Sequence, residues 1–253
     1  MRQVIYFVLI FLLLATSCGR KSGRMVNDGN QVQGNSNSEN QNYVVRRNQN
    51  TKTKSATAQP GPKVTKNPLT GSEIFEKYNK AVFMVYTYDG VNVFQGSGFV
   101  VKSKGIAVSN YHVFEGTGMG FELLVFSNGN EYNLKDVIAY DKEKDIIIFS
   151  IDSDGEIFPF IPISTSTPRV GEKVYAIGSP LGLENTFSSG EISQIRGSDI
   201  IQISAPIDHG SSGGALLNNY GEAIGITTAG IDESSANLNF AININVVKKY
   251  LSE

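Results

Sequence analysis

The sequence has almost none of the side chains that hold metals or form disulfides. Its 253 residues include one cysteine, Cys18, and two histidines, His112 and His209. One cysteine cannot form an internal disulfide, and these three residues cannot supply the usual ligand set of a zinc site. The acidic residues lack the spacing of a calcium-binding loop, and the glycine-rich segment 116–120 lacks the lysine of a phosphate-binding loop. We therefore expect no metal and no cofactor.

The sequence also lacks an apolar run long enough to span a bilayer comfortably. Residues 4–15 are nearly all apolar, Arg2 precedes them, and small residues stand before Cys18. This pattern predicts a secretion signal at 1–17. A lone cysteine directly behind it indicates a lipobox, with lipidation of Cys18 and anchoring to a membrane on the periplasmic side of a bacterial envelope. Ala15 stands where a lipobox usually has leucine, so an ordinary secreted protein is the alternative.

Large apolar residues are scarce in the segment 18–70, which is rich in Asn, Gln, Ser, Lys and Gly. Such a segment cannot bury enough surface to offset its ordering entropy, so we expect a disordered tether. Nine Lys and Arg against two Asp and Glu give it a charge of +7, and residues 71–253 carry −10. The tether is either a solvated spacer or a basic arm on anionic lipid or cell-wall polymer. The acidic charge of the folded part argues against nucleic acid as a partner.

From residue 81 onward, short runs typical of β-strands alternate with turn clusters. The clearest runs are 81–88, 91–101, 121–126, 146–151, 173–177, 200–204, 222–228 and 239–244. Their spacing of roughly ten residues, with glycine-rich breaks, predicts an all-β sandwich or barrel. Only two helices are expected, at 72–80 with Ser72 as its cap and at 245–251.

The segment 210–214, with the sequence GSSGG, presents a serine in a tight turn. Flanking glycines let the backbone turn sharply, so that successive N–H groups can converge on one point. A serine acts as a nucleophile only when a base takes its proton and donors stabilise the oxyanion. Ser212 is the candidate nucleophile, and the amides of Gly210, Ser211 and Ser212 are candidate oxyanion donors. Because Gly/Ser clusters are common in turns, a plain turn serine is the alternative.

The order of the candidate residues along the chain favours one catalytic architecture. His112 lies 100 residues before Ser212, whereas His209 is three residues before it and too close to swing onto it. With Asp145 between them, the order His, Asp, Ser is that of the chymotrypsin-type triad. An α/β-hydrolase needs a histidine after the serine, and none follows Ser212. Asp89 could complete the subtilisin order, but the shortage of predicted helices disfavours that fold.

Several aspartates compete for the third position of the triad. Asp145 begins an apolar strand, which would bury its carboxylate beside the core, where it can hold an imidazole N–H. Its rivals are Asp141, Asp152 and Asp154.

Six segments resemble, in order, those of the HtrA/Deg family of trypsin-like serine proteases. They are GSGFVV at 96–101, SNYHV at 109–113, KDIII at 144–148, VGEKVYAIGSPLG at 170–182, GSSGGAL at 210–216 and LNFAI at 238–242. The resemblance covers about 72–253. In that family the nucleophile directly precedes a Gly-Gly pair, which selects Ser212 over Ser211. Nothing after Glu253 corresponds to the PDZ domains of the family, so we do not expect peptide-gated regulation or large cages.

The resemblance implies two antiparallel β-barrels of the chymotrypsin/trypsin type. The first, at about 81–165, would carry His112 and Asp145, and the second, at about 170–244, would carry Ser212. The implied activity is that of a serine endopeptidase acting on unfolded or extended envelope proteins. The resemblance is compatible with an oligomer and does not define one.

Residues before the serine and on the strand after it would line the specificity pocket. Ile207, Thr228 and Ala229 predict a shallow apolar pocket for Val, Ala or Ile. Asp208, if it turned inward, would instead favour a basic residue.

Two other functions stay open at this point. The same fold could be a catalytically silent peptide-binding module. It could also be a protease that is inactive until an effector orders its loops at 181–189 and 231–237.

Overall fold

Thirteen β-strands and two short α-helices make up the part of the chain that the computed structural model describes, residues 67–118, 120–179, 185–228 and 238–251. In chain order they are α1 (Gly71–Tyr78), β1 (Val82–Tyr88), β2 (Val93–Lys102), β3 (Ile106–Ser109), β4 (Glu122–Phe126), β5 (Glu131–Tyr132), β6 (Leu134–Asp141), β7 (Ile146–Ile151), β8 (Lys173–Gly178), β9 (Thr186–Arg196), β10 (Ile200–Ile203), β11 (Ala215–Asn218), β12 (Ala223–Thr228), β13 (Asn239–Asn243) and α2 (Asn245–Lys248). None of the described helices is long and apolar enough to cross a bilayer.

The first seven strands form one antiparallel sheet in the order β5-β4-β1-β2-β3-β7-β6. The sheet curves into a half-barrel, and a side chain bridges its gap between β4 and β6. Glu122 on β4 accepts a hydrogen bond from the Leu134 amide at 3.2 Å through its carboxylate, and its backbone carbonyl accepts one from the Asn133 side chain at 2.7 Å. Burial raises the pKa of Glu122 above its usual range.

The last six strands close into a barrel in the order β10-β13-β12-β11-β8-β9. The all-β fold expected from the sequence is therefore confirmed, with one closed barrel and one half-barrel. The sequence pattern did not reveal β9, because its 11 residues, TFSSGEISQIR, are mostly polar and partly exposed. Its place is fixed by pairing with β8 and β10 on either side.

One apolar cluster is shared by the half-barrel and the barrel. Phe99, Val108 and Ile146 of the first sheet pack in the same cluster as Ile177 and Ala215 of the second. Burial of apolar side chains contributes roughly 25 cal/mol per Å² of surface, so this shared core holds the two sheets against each other. Ile146 directly follows Asp145, and Ala215 lies three residues after Ser212. The cluster therefore underlies both halves of the candidate site.

The N-cap of helix α1 lies two residues before the one predicted from the sequence. Thr70, not Ser72, is the N-cap, and it forms a capping box with Glu73. The Thr70 side chain accepts from the Glu73 amide, and the Glu73 carboxylate accepts from the Thr70 amide at 2.8 Å. The prediction of Ser72 as cap was wrong because it ignored the T-x-x-E pattern, in which both free amides are satisfied. The bonds that the Thr70 amide and hydroxyl donate to the Glu73 carboxylate lower the pKa of Glu73.

Candidate active site

The side chains of His112 and Asp145 meet at the ends of two paired strands. His112 lies in a 3₁₀ turn (Tyr111–Val113) just after β3, and Asp145 lies just before β7. The pairing of Ser109 with Ile147 brings these two ends together. Asp145 Oδ2 lies 2.8 Å from His112 Nδ1, and Asp145 Oδ1 accepts the backbone N–H of His112 at 2.8 Å. One carboxylate thus holds both the ring and the backbone of the histidine.

Asp145 has an unusual backbone conformation, with φ of 53°. Residues other than glycine rarely occupy this left-handed region, and aspartate is among those that tolerate it best. The Asn110 side chain donates a hydrogen bond to the Asp145 carbonyl at 3.0 Å, and Asn110 itself is fully buried. Asn110 stands two residues before His112 in the SNYHV segment, but the sequence pattern did not indicate this role.

Ser212 lies in the turn that leads into β11, and its residue is 6% exposed. The Ser97 amide on β2 donates to the Ser212 carbonyl at 2.7 Å, which fixes this turn against the first sheet. The next residue, Gly213, has φ of 90°, and a side chain there would collide with the Ser97 carbonyl. A glycine is required at that position for both reasons.

Gly96 brings the histidine turn and the serine turn together. A side chain at Gly96 would place its first carbon 2.6 Å from the methyl groups of Val113 and 3.2 Å from the Ser212 carbonyl oxygen. Val113 directly follows His112. The two turns therefore approach the same strand position of β2, and only glycine leaves room for both.

The amides of the 210–214 turn differ in whether they are already hydrogen-bonded. The Ser211 amide donates to the Asp208 carbonyl at 3.0 Å, and the Gly213 amide donates to the Thr227 carbonyl at 2.8 Å. Within the described part of the chain, the amides of Gly210 and Ser212 have no such partner. Of the three amides expected as oxyanion donors, that of Ser211 is therefore the one already bonded to another described residue.

The Ser97 hydroxyl fixes the other side of this turn. It donates to the Gly210 carbonyl at 2.7 Å and accepts the Ser179 amide at 2.9 Å. Gly210 has φ of 91°, which suits glycine. Ser97 was missed in the sequence analysis, although it lies between the glycines of the GSGFVV segment. A residue of the first sheet thus fixes a carbonyl in the turn that leads into β11 of the second sheet.

A cavity of about 270 Å³ lies beside the serine turn. Of the predicted pocket residues, Ile207 lines it, whereas Thr227 takes the place expected for Thr228. Asp208 also contributes to the wall. The remaining lining residues are Ala176, Ile177, Gly178, Thr186, Phe187, Ser188, Pro206 and Ser211. Aliphatic side chains and hydroxyl groups thus share the surface of this cavity.

Several predictions fall on residues outside those described. They concern the signal segment 1–17, Cys18, most of the tether, Ala229, and most of the two loops at 181–189 and 231–237. The described part of the first loop is 185–189, and residues 186–189 of it belong to strand β9. Among the described residues, no group of three or more His, Cys, Asp or Glu side chains is arranged to hold a metal ion.

The chain is similar in sequence to a family of peptidases and to known serine proteases. Residues 96–226 match the family model of the trypsin-like peptidase domain. The chain is 32% identical to the putative serine protease HhoA of Synechocystis, over 72% of this chain and 48% of that protein. It is 36% identical to the serine protease HTRA1A of Danio rerio, over 70% of this chain and 38% of that protein.

A solved structure agrees with these matches. The serine endoprotease from Yersinia pestis superposes with a TM-score of 0.64 at 30% sequence identity, covering 72% of this chain and 65% of that one. The chain spans less than half the length of the two curated relatives above.

Proposed function

Because this chain belongs to the trypsin-like peptidase family and has HtrA/Do serine proteases as relatives, we propose that it is a serine endopeptidase. Ser212 is its nucleophile, His112 its base, and Asp145 the residue that orients His112. The observation that carries the proposal is that the two carboxylate oxygens of Asp145 contact the ring and the backbone N–H of His112, each at 2.8 Å.

The Asp145 contacts support Nε2 of His112 as the nitrogen that acts as the base. An ionised carboxylate only accepts hydrogen bonds, so the Nδ1 that faces Asp145 Oδ2 carries the hydrogen. Nε2 is then free to accept the Ser212 proton as the hydroxyl oxygen attacks the peptide carbonyl carbon. The same nitrogen then gives the proton to the leaving amine. In the second half of the reaction it takes a proton from water, which attacks the ester carbonyl of the acyl-enzyme, and it returns that proton to the Ser212 oxygen as the acid product leaves. Asp145 stabilises the imidazolium during both steps.

The oxyanion of each tetrahedral intermediate is assigned to two backbone amides, those of Gly210 and Ser212. They are supported as donors because neither is used by a protein acceptor among the described residues. In comparable sites the loss of one oxyanion donor costs about 2.7–4 kcal/mol of transition-state stabilisation. Fixation of Gly210 by Ser97 should therefore matter to the rate, since it holds a donor before the substrate arrives.

Labelling with an irreversible fluorophosphonate tests the proposed nucleophile. The folded protein is expected to gain one adduct, which peptide mass spectrometry should find on Ser212, whereas heat-denatured protein should gain none. The reagent phosphonylates only a serine whose proton is removed by a nearby base. A folded protein that stays unlabelled, or an adduct on Ser211, would contradict the assignment.

We further propose that the side chain before the scissile bond is small and aliphatic, and that it enters the cavity lined by Ile207. Ile207→Ala should widen the cavity and raise cleavage after Leu or Phe, relative to Ala, by about tenfold, because one or two methylene groups discriminate substrates by that much. A peptide library compared before and after the substitution measures this. Asp208→Asn is the companion variant. A strong preference for Lys or Arg that this variant abolishes would contradict the apolar pocket.

The proposed substrates are unfolded or extended polypeptides of a bacterial envelope. A membrane anchor at Cys18 and a basic tether to residue 70 would hold the protease domain near that surface, with room to reach proteins around it. Radioactive palmitate incorporation that is lost in Cys18→Ser would support the anchor, and secretion of unmodified wild-type protein into the medium would contradict it.

A further inference from the structure

An ion pair links the turn that carries Asp145 to the closed barrel. Lys144 Nζ lies 2.9 Å from Asp199 Oδ2. Lys144 directly precedes Asp145 in the half-barrel, and Asp199 lies between β9 and β10 of the barrel. Both side chains are 36% exposed, so water screens the pair only in part. The contact joins the two sheets within one residue of the proposed orienting carboxylate.

Asp199 makes two further hydrogen bonds that fix its position for the contact with Lys144. The Ser198 hydroxyl donates to Asp199 Oδ1 at 2.6 Å, and the Asn243 amide of β13 donates to the Asp199 carbonyl at 2.7 Å. The hydrogen bond from Ser198, followed by the one from Lys144, lowers the pKa of Asp199. The bond that Lys144 makes to Asp199 raises the pKa of Lys144. A carboxylate held in this way gives the lysine a defined position.

The turn at Lys144 needs such support because of its backbone conformation. It is closed by a weak bond from the Asp145 amide to the Lys142 carbonyl, at 3.3 Å, and by the Lys144 amide donating to Asp141 Oδ1 at 3.1 Å. Asp145 then takes its φ of 53°, which an L-residue adopts only at an energetic cost. Asn110 holds the turn from the side of the half-barrel. The ion pair holds it from the side of the barrel.

We infer that Lys144 and Asp199 are positioning residues for Asp145, a role that rests on the proposed function. Through this pair, the barrel that carries Ser212 also sets the direction of the carboxylate that orients His112. Neither residue touches the substrate. They act by narrowing the range of positions open to Asp145, so their loss should slow the chemical step without weakening binding.

The rate of fluorophosphonate labelling measures this effect without a known substrate. Its saturation kinetics separate kinact, which reports the chemical step, from KI, which reports binding. Lys144→Met and Asp199→Asn should each lower kinact about threefold to fivefold, the upper range for a partly exposed pair, with KI unchanged. The double variant should be no slower than either single variant, because both remove the same contact.

Two matched variants test whether the effect belongs to this pair. Lys144→Arg keeps the charge and should retain kinact within about twofold of wild type. Arg169→Met removes an ion pair with Glu172 of similar length, 2.8 Å, that lies within one turn and far along the chain from the triad. It should leave kinact unchanged. Thermal unfolding of every variant checks that the fold is retained.

The two proposals can fail separately. A labelled wild type whose kinact is unchanged in both single variants would overturn the positioning role and leave the nucleophile assignment intact. Additive losses in the double variant, or a loss in Lys144→Arg as large as in Lys144→Met, would also overturn it. A folded wild type that cannot be labelled would contradict the proposed function itself.

Discussion

Ser212→Ala is expected to lower the turnover of an unfolded protein substrate by roughly six orders of magnitude, the loss found when other serine proteases lose their nucleophile. Alanine leaves His112 and Asp145 in place but gives them no hydroxyl to deprotonate. The amides of Gly210 and Ser212, which donate to no acceptor among the described residues, would remain, so a small rate above that in water should persist. Digestion of reduced, alkylated casein at high enzyme concentration measures both rates.

Ser211→Ala is the matched control, since it removes the neighbouring hydroxyl of the same turn. The Ser211 backbone amide, which donates to Asp208, is retained in this variant. Turnover should stay within about tenfold of wild type, because substitutions away from the reacting atoms act only through packing. If Ser211→Ala were inactive and Ser212→Ala active, the two serines would have to exchange roles.

Asp145→Asn should reduce kcat by about four orders of magnitude. Both carboxylate oxygens face donors here, one the His112 backbone N–H and the other the ring. Asparagine has only one oxygen, and the backbone N–H cannot change its role, so that oxygen should turn to the backbone. The NH₂ group would then face Nδ1 and favour the tautomer with hydrogen on Nε2. That nitrogen could no longer accept the serine proton.

The tautomer gives this prediction a readout besides activity. Nitrogen NMR of ¹⁵N-labelled histidine should show hydrogen on Nδ1 in the wild type and on Nε2 in Asp145→Asn. Asp152→Asn, which changes another aspartate considered for the triad, should alter neither the spectrum nor kcat. Loss of activity in Asp152→Asn with full activity in Asp145→Asn would mean that Asp145 does not orient the base.

Most of the described strands and the candidate residues of the site could be predicted from short segments of the sequence. Short β-type runs separated by turn clusters indicated most of the described strands, and the chain order of His112, Asp145 and Ser212 indicated a trypsin-type architecture. The structure places the first two side chains 2.8 Å apart. What the sequence could not provide were contacts set by strand pairing and turn geometry. The polar segment β9 forms a strand because its backbone pairs with β8 on one side and β10 on the other.

The same limit applies around the site. Nothing in the GSSGG segment tells which of its amides is already bonded, because that depends on how the backbone of this turn folds on itself. The bond of Asn110 to the Asp145 carbonyl spans 35 residues, and the Lys144–Asp199 pair joins separate sheets. Such pairings depend on tertiary structure, and a single sequence records them only as ordinary polar residues.

Ser97 links the timing of activity to folding. Its amide donates to the Ser212 carbonyl and its hydroxyl to the Gly210 carbonyl, although both of those residues lie in the turn that leads into β11 of the other sheet. In a newly made chain in which the six-stranded barrel has formed alone, the turn that carries Ser212 would lack both of these bonds, and His112 would not yet be beside it. Under the proposed function, Ser212 would become reactive only after the two sheets have docked, so partly folded copies would not cut one another.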